Sequence, residues 1–233
     1  MKTIILCAVS MLMAAGQLFG QQVNVPGVKW NDSYSFDRCN NFKIDFYAKN
    51  DNLRQSFDFK TFYQSDGKDF VVLFDASYKG GDIETIFDFT KEVAIQIFGS
   101  DAPEPIFTTT RFKYPESDEI KRLELVPTDE TRTIAGHLCR NYTYTYKKIF
   151  GNVWLTNEVT QHNDYGVFRA AKMSAIHNTL SVEGFVMEMT TADARGGKTL
   201  MTTVSLGTNE TRTVRLPRNK MGSALNKVNY FTF

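Results

Sequence analysis

Residues 133–144 read TIAGHLCRNYTY and bring a histidine and a cysteine within two positions of each other. The whole chain has only three of each. A thiol near an imidazole is the raw material of a nucleophile, and it is also half of a zinc site. Both chemistries need more than the pair. A cysteine nucleophile wants its base at about 3 Å, whereas on an extended strand His137 and Cys139 share a face ~7 Å apart. His162 or His177 would have to bring the base from elsewhere in the fold, with Asp164 to orient it. For a metal, no second Cys or His pair stands at zinc-like spacing. The chain also lacks GxSxG, HExxH, a phosphate-cradling glycine loop and a dinucleotide fingerprint. The sequence therefore predicts no catalytic residue, no metal site and no cofactor. It reads 137–146 as a mid-sheet strand entered through Gly136, with Leu138, Arg140, Tyr142, Tyr144 and Tyr146 on the other face.

The elements that position this strand are mostly strands themselves. NFKIDFYAK sets Phe42, Ile44 and Phe46 against Lys43, Asp45 and Tyr47, and SFDFKTFYQ groups Phe57, Phe59 and Tyr63. Asp-Gly in SDGK is a hairpin signal before DFVVLFD, and DIETIFDFT and EVAIQIF follow after YKGGD. Such short connections require antiparallel neighbours. IFTTTRFKY, NVWLTNEV, GFVMEMTT, KTLMTTVSL and ETRTVRL are further strands. Two segments carry a helical pattern. PESDEIKRLEL (115–125) has a proline and acids first and bases later. In 167–180, Phe168, Ala171, Ala175 and Ile176 recur at three- and four-residue spacing. After Pro217 the tail is read as a helix or a docked extension. The expected fold class is mainly β (α+β): a single antiparallel sheet with one or two helices, in one domain over 21–233.

Residues 1–20 have the basic start, short apolar run and small-residue end of a secretory signal peptide, with cleavage expected between Gly20 and Gln21. Cys7 lies inside that run rather than at its end, so no lipid attachment is expected. The predicted location is periplasmic or secreted. Removing Lys2 from the 27 basic residues balances the 26 acidic ones, and no basic block marks a nucleic-acid partner. No later stretch approaches the ~20 apolar residues of a membrane span. Cys39 and Cys139 remain after cleavage. They either form one bridge or stay as two thiols in apolar surroundings.

ETRTIAGHLCRNYTY followed by GNVWLTNEV resembles a group of secreted bacterial proteins, chiefly from Bacteroidota, known as domain of unknown function 4412. Ile134, Gly136, Cys139, Tyr142, Val153, Trp154 and Thr156 carry the likeness, which extends over about 36–217 and leaves the tail 218–233 aside. That group is similar to the LolA/LolB lipoprotein carriers and the GLPGLI proteins. The resemblance implies a strongly curved sheet, a half-barrel, with helices against its concave face, and no known catalytic residue. Two functions compete on these grounds. One is a non-enzymatic carrier of an apolar ligand such as a lipid or acyl chain, lined by Phe168, Ala171, Ala175, Ile176, Met187 and Met189. The other is a structural or interaction component of the cell envelope with no ligand. A cysteine-dependent enzyme is a remote third.

Overall fold

In the computed structural model, residues 29–65, 69–74, 82–100, 106–111, 124–146, 148–159, 181–216 and 221–225 are described. Among them every regular element is a strand. The chain order is β1 (Ser33–Phe36), β2 (Arg38–Tyr47), β3 (Leu53–Tyr63), β4 (Phe70–Phe74), β5 (Ile83–Asp88), β6 (Val93–Phe98) and β7 (Ile106–Arg111), then β8 (Val126–Ile134), β9 (His137–Tyr146), β10 (Ile149–Thr156), β11 (Phe185–Asp193), β12 (Lys198–Thr208), β13 (Arg212–Arg215) and β14 (Met221–Leu225). Twelve of them form one sheet in the order β14-β7-β6-β5-β4-β3-β2-β12-β11-β10-β9-β8, and β1 pairs only with β13. The sheet is open: its outer strands, β14 and β8, do not meet.

The topology is two meanders and a seam. Strands β2 to β7 follow one another antiparallel, as their short turns require, and so do β8 to β12. The antiparallel pairing of β2 with β12 joins the two sets, running from Lys198↔Tyr47 to Thr208↔Cys39. The tail expected as a helix or docked extension is, over Met221–Leu225, a strand laid parallel to β7. Of the helix expected at 115–125, only Glu124 and Leu125 are described, and they are not helical. Residues 167–180 lie outside the described residues.

One strand boundary corrects the sequence reading. Gly136 does lead into a strand over 137–146, but it is also the second residue of a two-residue hairpin turn, so the run TRTIAGHLCRNYTYTYKK is two strands rather than one. Ile134 pairs with His137, and both Ala135 (φ 47°) and Gly136 (φ 86°) have positive φ, the signature of a type I′ turn. β8 is thus a strand of its own at the sheet margin. Pro127 and a register shift before Thr131 interrupt it, which blunts an edge against pairing with foreign strands.

The side chains sort onto two faces, named here for Phe42 and Cys39, which lie on opposite sides of β2. On the Phe42 face the buried residues include Phe42, Ile44, Phe59, Phe70, Phe87 and Ala94, and the cluster continues through Met201, Met189 and Val153. Aromatic pairs hold it laterally: Phe42 stacks on Phe59 at 4.7 Å, and Phe70 on Phe87 at 4.8 Å. The Cys39 face of β3 to β6 carries a second cluster with Phe62, Val71, Ile86, Ile95 and Ile97.

Strands β1 and β13 cover that second cluster. They are the continuation of the β2–β12 ribbon past a corner, which the chain crosses at Asp37 and again at 209–211. Register shifts on either side of Ser205 and a positive φ at Gly207 (60°) let β12 make the bend. The resulting flap places Tyr34, Phe36, Val214 and Leu216 on the cluster and turns Ser33, Ser35 and Arg215 to solvent.

Candidate functional site

His137 and Cys139 do share a side of β9, yet their side chains do not engage each other. The Cys139 thiol donates to the His137 backbone carbonyl at 3.2 Å. The imidazole Nδ1 instead lies 3.5 Å from Glu158 Oε2, a carboxylate oxygen that also accepts the Leu138 N–H at 3.1 Å. Cys139 is buried, and burial foremost pushes its thiol up from the ordinary cysteine range. A reactive cysteine needs the opposite, a thiolate favoured by its surroundings. His162, Asp164 and His177 lie outside the described residues. Among the described residues no group of three or more His, Cys, Asp or Glu is arranged to hold a metal ion.

The bridge considered between Cys39 and Cys139 is not formed; both are free thiols. The reason is lateral distance. Strands β12, β11 and β10 stand between β2 and β9, which at ~4.8 Å per strand separates the cysteines by roughly 19 Å, against the 7 Å limit of a disulfide. Cys39 lies in the cluster under the flap, where burial first and the Glu210 charge next push its thiol up to about 12. Cys139 belongs to the other cluster.

Of the predicted ligand-lining residues, Met187 and Met189 are described, and Phe168, Ala171, Ala175 and Ile176 lie outside the described residues. Both methionines are buried, at 0% and 3% exposure, so neither presents an open surface. Met189 occupies one position of an in-register row that crosses the sheet. Phe57, Ile44, Met201, Met189, Val153 and Tyr142 stand opposite one another on successive strands from β3 to β9. Met187 sits at a register shift of β10 against β11, where Trp154 pairs with Glu188 but Leu155 pairs with Val186.

Where the row reaches β9, the described residues of the Phe42 face become progressively more exposed. Tyr144 is buried, Tyr142 is half-buried, and Arg140 and Leu138 are exposed, Leu138 by 57%. A recess of about 330 Å³ opens there, lined by Thr131, Leu138, Cys139, Arg140, Tyr142, Leu155, Asn157 and Glu158. Its walls combine an apolar floor with a guanidinium, a phenol and a carboxylate. The sequence held a signal for part of it. Leu138 is an apolar residue at the exposed positions of an alternating strand, and Arg140 and Tyr142 follow at the same period. Thr131, Leu155 and Glu158 come from other segments and left no such mark.

The opposite face of the same strands is polar. Arg132 lies over the Trp154 ring at 4.1 Å and pairs with Glu188, while Asn141 donates to Glu130 at 2.6 Å. Arg132 stands opposite Cys139 and Trp154 opposite Asn141, so this network lies on the side of β9 that carries Cys139.

No family model matches this chain, and no curated protein does. Among solved structures, two crystal forms of PNGF-II align with it at 10% identity, with TM-scores of 0.38 and 0.39. Each alignment covers 82% of this chain and 31% or 32% of the PNGF-II chain, so this chain spans about a third of that protein's length.

Proposed function

We propose that this protein is a periplasmic or secreted, non-enzymatic binding protein that holds an apolar ligand, such as a lipid or acyl chain, against the Phe42 face. The observation that carries the reading is the continuity between the apolar row and the recess beside Leu138, Tyr142 and Leu155. Its volume of about 330 Å³ falls at the lower end of the ~300–1,000 Å³ range of small-molecule sites. Burying an acyl chain yields ~0.8 kcal/mol per methylene, so a partial chain suffices for measurable affinity. The leader-like residues 1–20, the family resemblance and the LolA/LolB-type half-barrel belong to the same proposal, with 167–180 as a helix over this face.

A fluorescent fatty-acid probe tests it. The delipidated protein should bind the probe, and Leu138→Arg should weaken binding about tenfold or more, because it sets a charge on the recess floor at a position exposed enough to spare the fold. Absence of probe binding, or binding indifferent to Leu138→Arg, would overturn the site.

The second reading, a structural or interaction protein without a ligand, draws on a different observation. Ile44, Met201, Met189 and Val153 are buried, so the middle of the row is filled by the protein itself. A cysteine-dependent enzyme has the least support, since the Cys139 thiol is buried and donates to a carbonyl.

A further inference from the structure

We infer that the β1–β13 flap is a hinged cover that lifts from the sheet as a unit, without unfolding the sheet, and that Arg212 is the fastening that holds it down. The flap's ladder is internal: Ser33–Phe36 pair with Arg212–Arg215, and neither strand joins the twelve-stranded sheet. Lifting it therefore breaks none of the main sheet's strand ladder. Two buried acids, both on the flap side of β5, receive the flap's polar contacts. Arg212 Nε and Nη2 each lie 2.6 Å from Glu84 Oε1, and Tyr34 Oη donates to Asp88 Oδ2 at 2.9 Å. Glu84 and Asp88 are each only 1% exposed.

A carboxylate that deep is tolerable only while its partner is present. The two states of the flap differ in this respect. Docked, Glu84 depends on Arg212; lifted, water solvates it. Removing the guanidinium thus penalises the docked state alone. Elsewhere the flap is held by its apolar inner face and by contacts at its corner and rim, such as Lys60 with Glu210 at 2.6 Å and the Gln64 amide on the Ser35 carbonyl at 2.9 Å. This inference concerns the Cys39 face and stands apart from the ligand reading of the other face.

Cys39 reports the motion. Its side chain is fully buried in the cluster that the flap closes, while Cys139 lies four strands away in the other cluster. The test is alkylation of the folded full chain by N-ethylmaleimide, with the rates at Cys39 and Cys139 read separately by peptide mass spectrometry. Arg212→Met should raise the Cys39 rate about tenfold or more and leave the Cys139 rate within roughly twofold. Tyr34→Phe, which removes one hydrogen bond and keeps the ring, should move Cys39 in the same direction by less. If Arg212→Met does not fold, Tyr34→Phe decides alone on the same readout. Rates rising together at both cysteines would mean that the sheet unfolds as a whole, and a Cys39 rate unmoved by either variant would mean that no such cover opens. Both results overturn the inference.

Discussion

Strands β5 and β6 and strands β8 and β9 belong to one sheet and are built on different terms. In β5 and β6 neighbouring residues are buried whichever way they point. Ile86 and Phe87 are both at 0% exposure, and so are Val93 and, nearly, Ala94. The flap covers one face of these strands, and the larger cluster lies on the other. In β9, burial alternates residue by residue, so Thr143 and Thr145 are exposed on either side of buried Tyr144. The side that is buried even changes along the strand, from Cys139 and Asn141 to Tyr144. A run of consecutive apolar residues and an alternating run can thus differ in the number of covered faces rather than in strand type. The same difference explains why the recess lies at β9: only a strand covered on one side at a time can leave the other open.

The sharpest test of this contrast uses adjacent residues. Ile86→Ala and Phe87→Ala should each cost about 2–5 kcal/mol in urea unfolding, since each leaves a cavity in a different cluster. The equivalent neighbours in β9 should split. Tyr144→Ala should be strongly destabilising, and Thr143→Ala should stay within about 0.5 kcal/mol of the parent. A costly Thr143→Ala would show that β9 also has a second cover.

A milder change refines the singly covered side. The Tyr144 hydroxyl donates to the Thr190 carbonyl at 3.0 Å and lies 2.8 Å from Thr191 Oγ1, with its ring across from Gly151. Any side chain at 151 would run into the Thr190 carbonyl, so the tyrosine fills the space that a residue at 151 cannot. Tyr144→Phe should therefore cost about 1 kcal/mol, the value of the hydrogen bonds without the packing. A loss as large as that of Tyr144→Ala would show that the hydroxyl, not the ring, secures this strand.

The smallest effect belongs to the doubly covered side and depends on pH. Burial first, and the charge of Asp88 after it, hold the Asp69 carboxyl above its usual range despite the Phe89 N–H that favours the anion. A carboxyl raised in the folded state contributes stability below its unfolded pKa and loses it as pH rises through the folded value. Asp69→Asn keeps an oxygen for the Phe89 N–H and removes the charge. The variant should melt slightly above the parent at neutral pH, and the difference should fade in acid. A difference that grew in acid would reverse the assignment.

Much of the sheet is legible in the sequence because β2, β3, β5, β6, β11 and β12 alternate or run apolar between short connections. The turn at 135–136 is not, because Ala135 takes a positive φ where a hairpin of this type usually announces itself with Asn or Asp before glycine. Of the flap, ETRTVRL reads as a strand, but SYSF left no local signal and nothing nearby shows that the two pair. SYSF and RTVR are four residues each, and they find each other across most of the chain. For the recess, the face of Leu138, Arg140 and Tyr142 follows from period two. Which face of β9 is left open follows from distant segments, and no window of sequence contains it.

The seam between β2 and β12 has a consequence in time. Lys198 leaves the ribosome about 150 residues after its partner Tyr47, and at ~5–20 residues per second that interval is roughly 8–30 s. Throughout it the first meander can close every ladder except those at its two margins, along β7, which awaits β14, and along β2, whose free N–H and C=O row offers itself to any passing strand. The strand that ends the wait also carries the flap, so a single late arrival quenches an adhesive margin and roofs the Cys39 face in the same event.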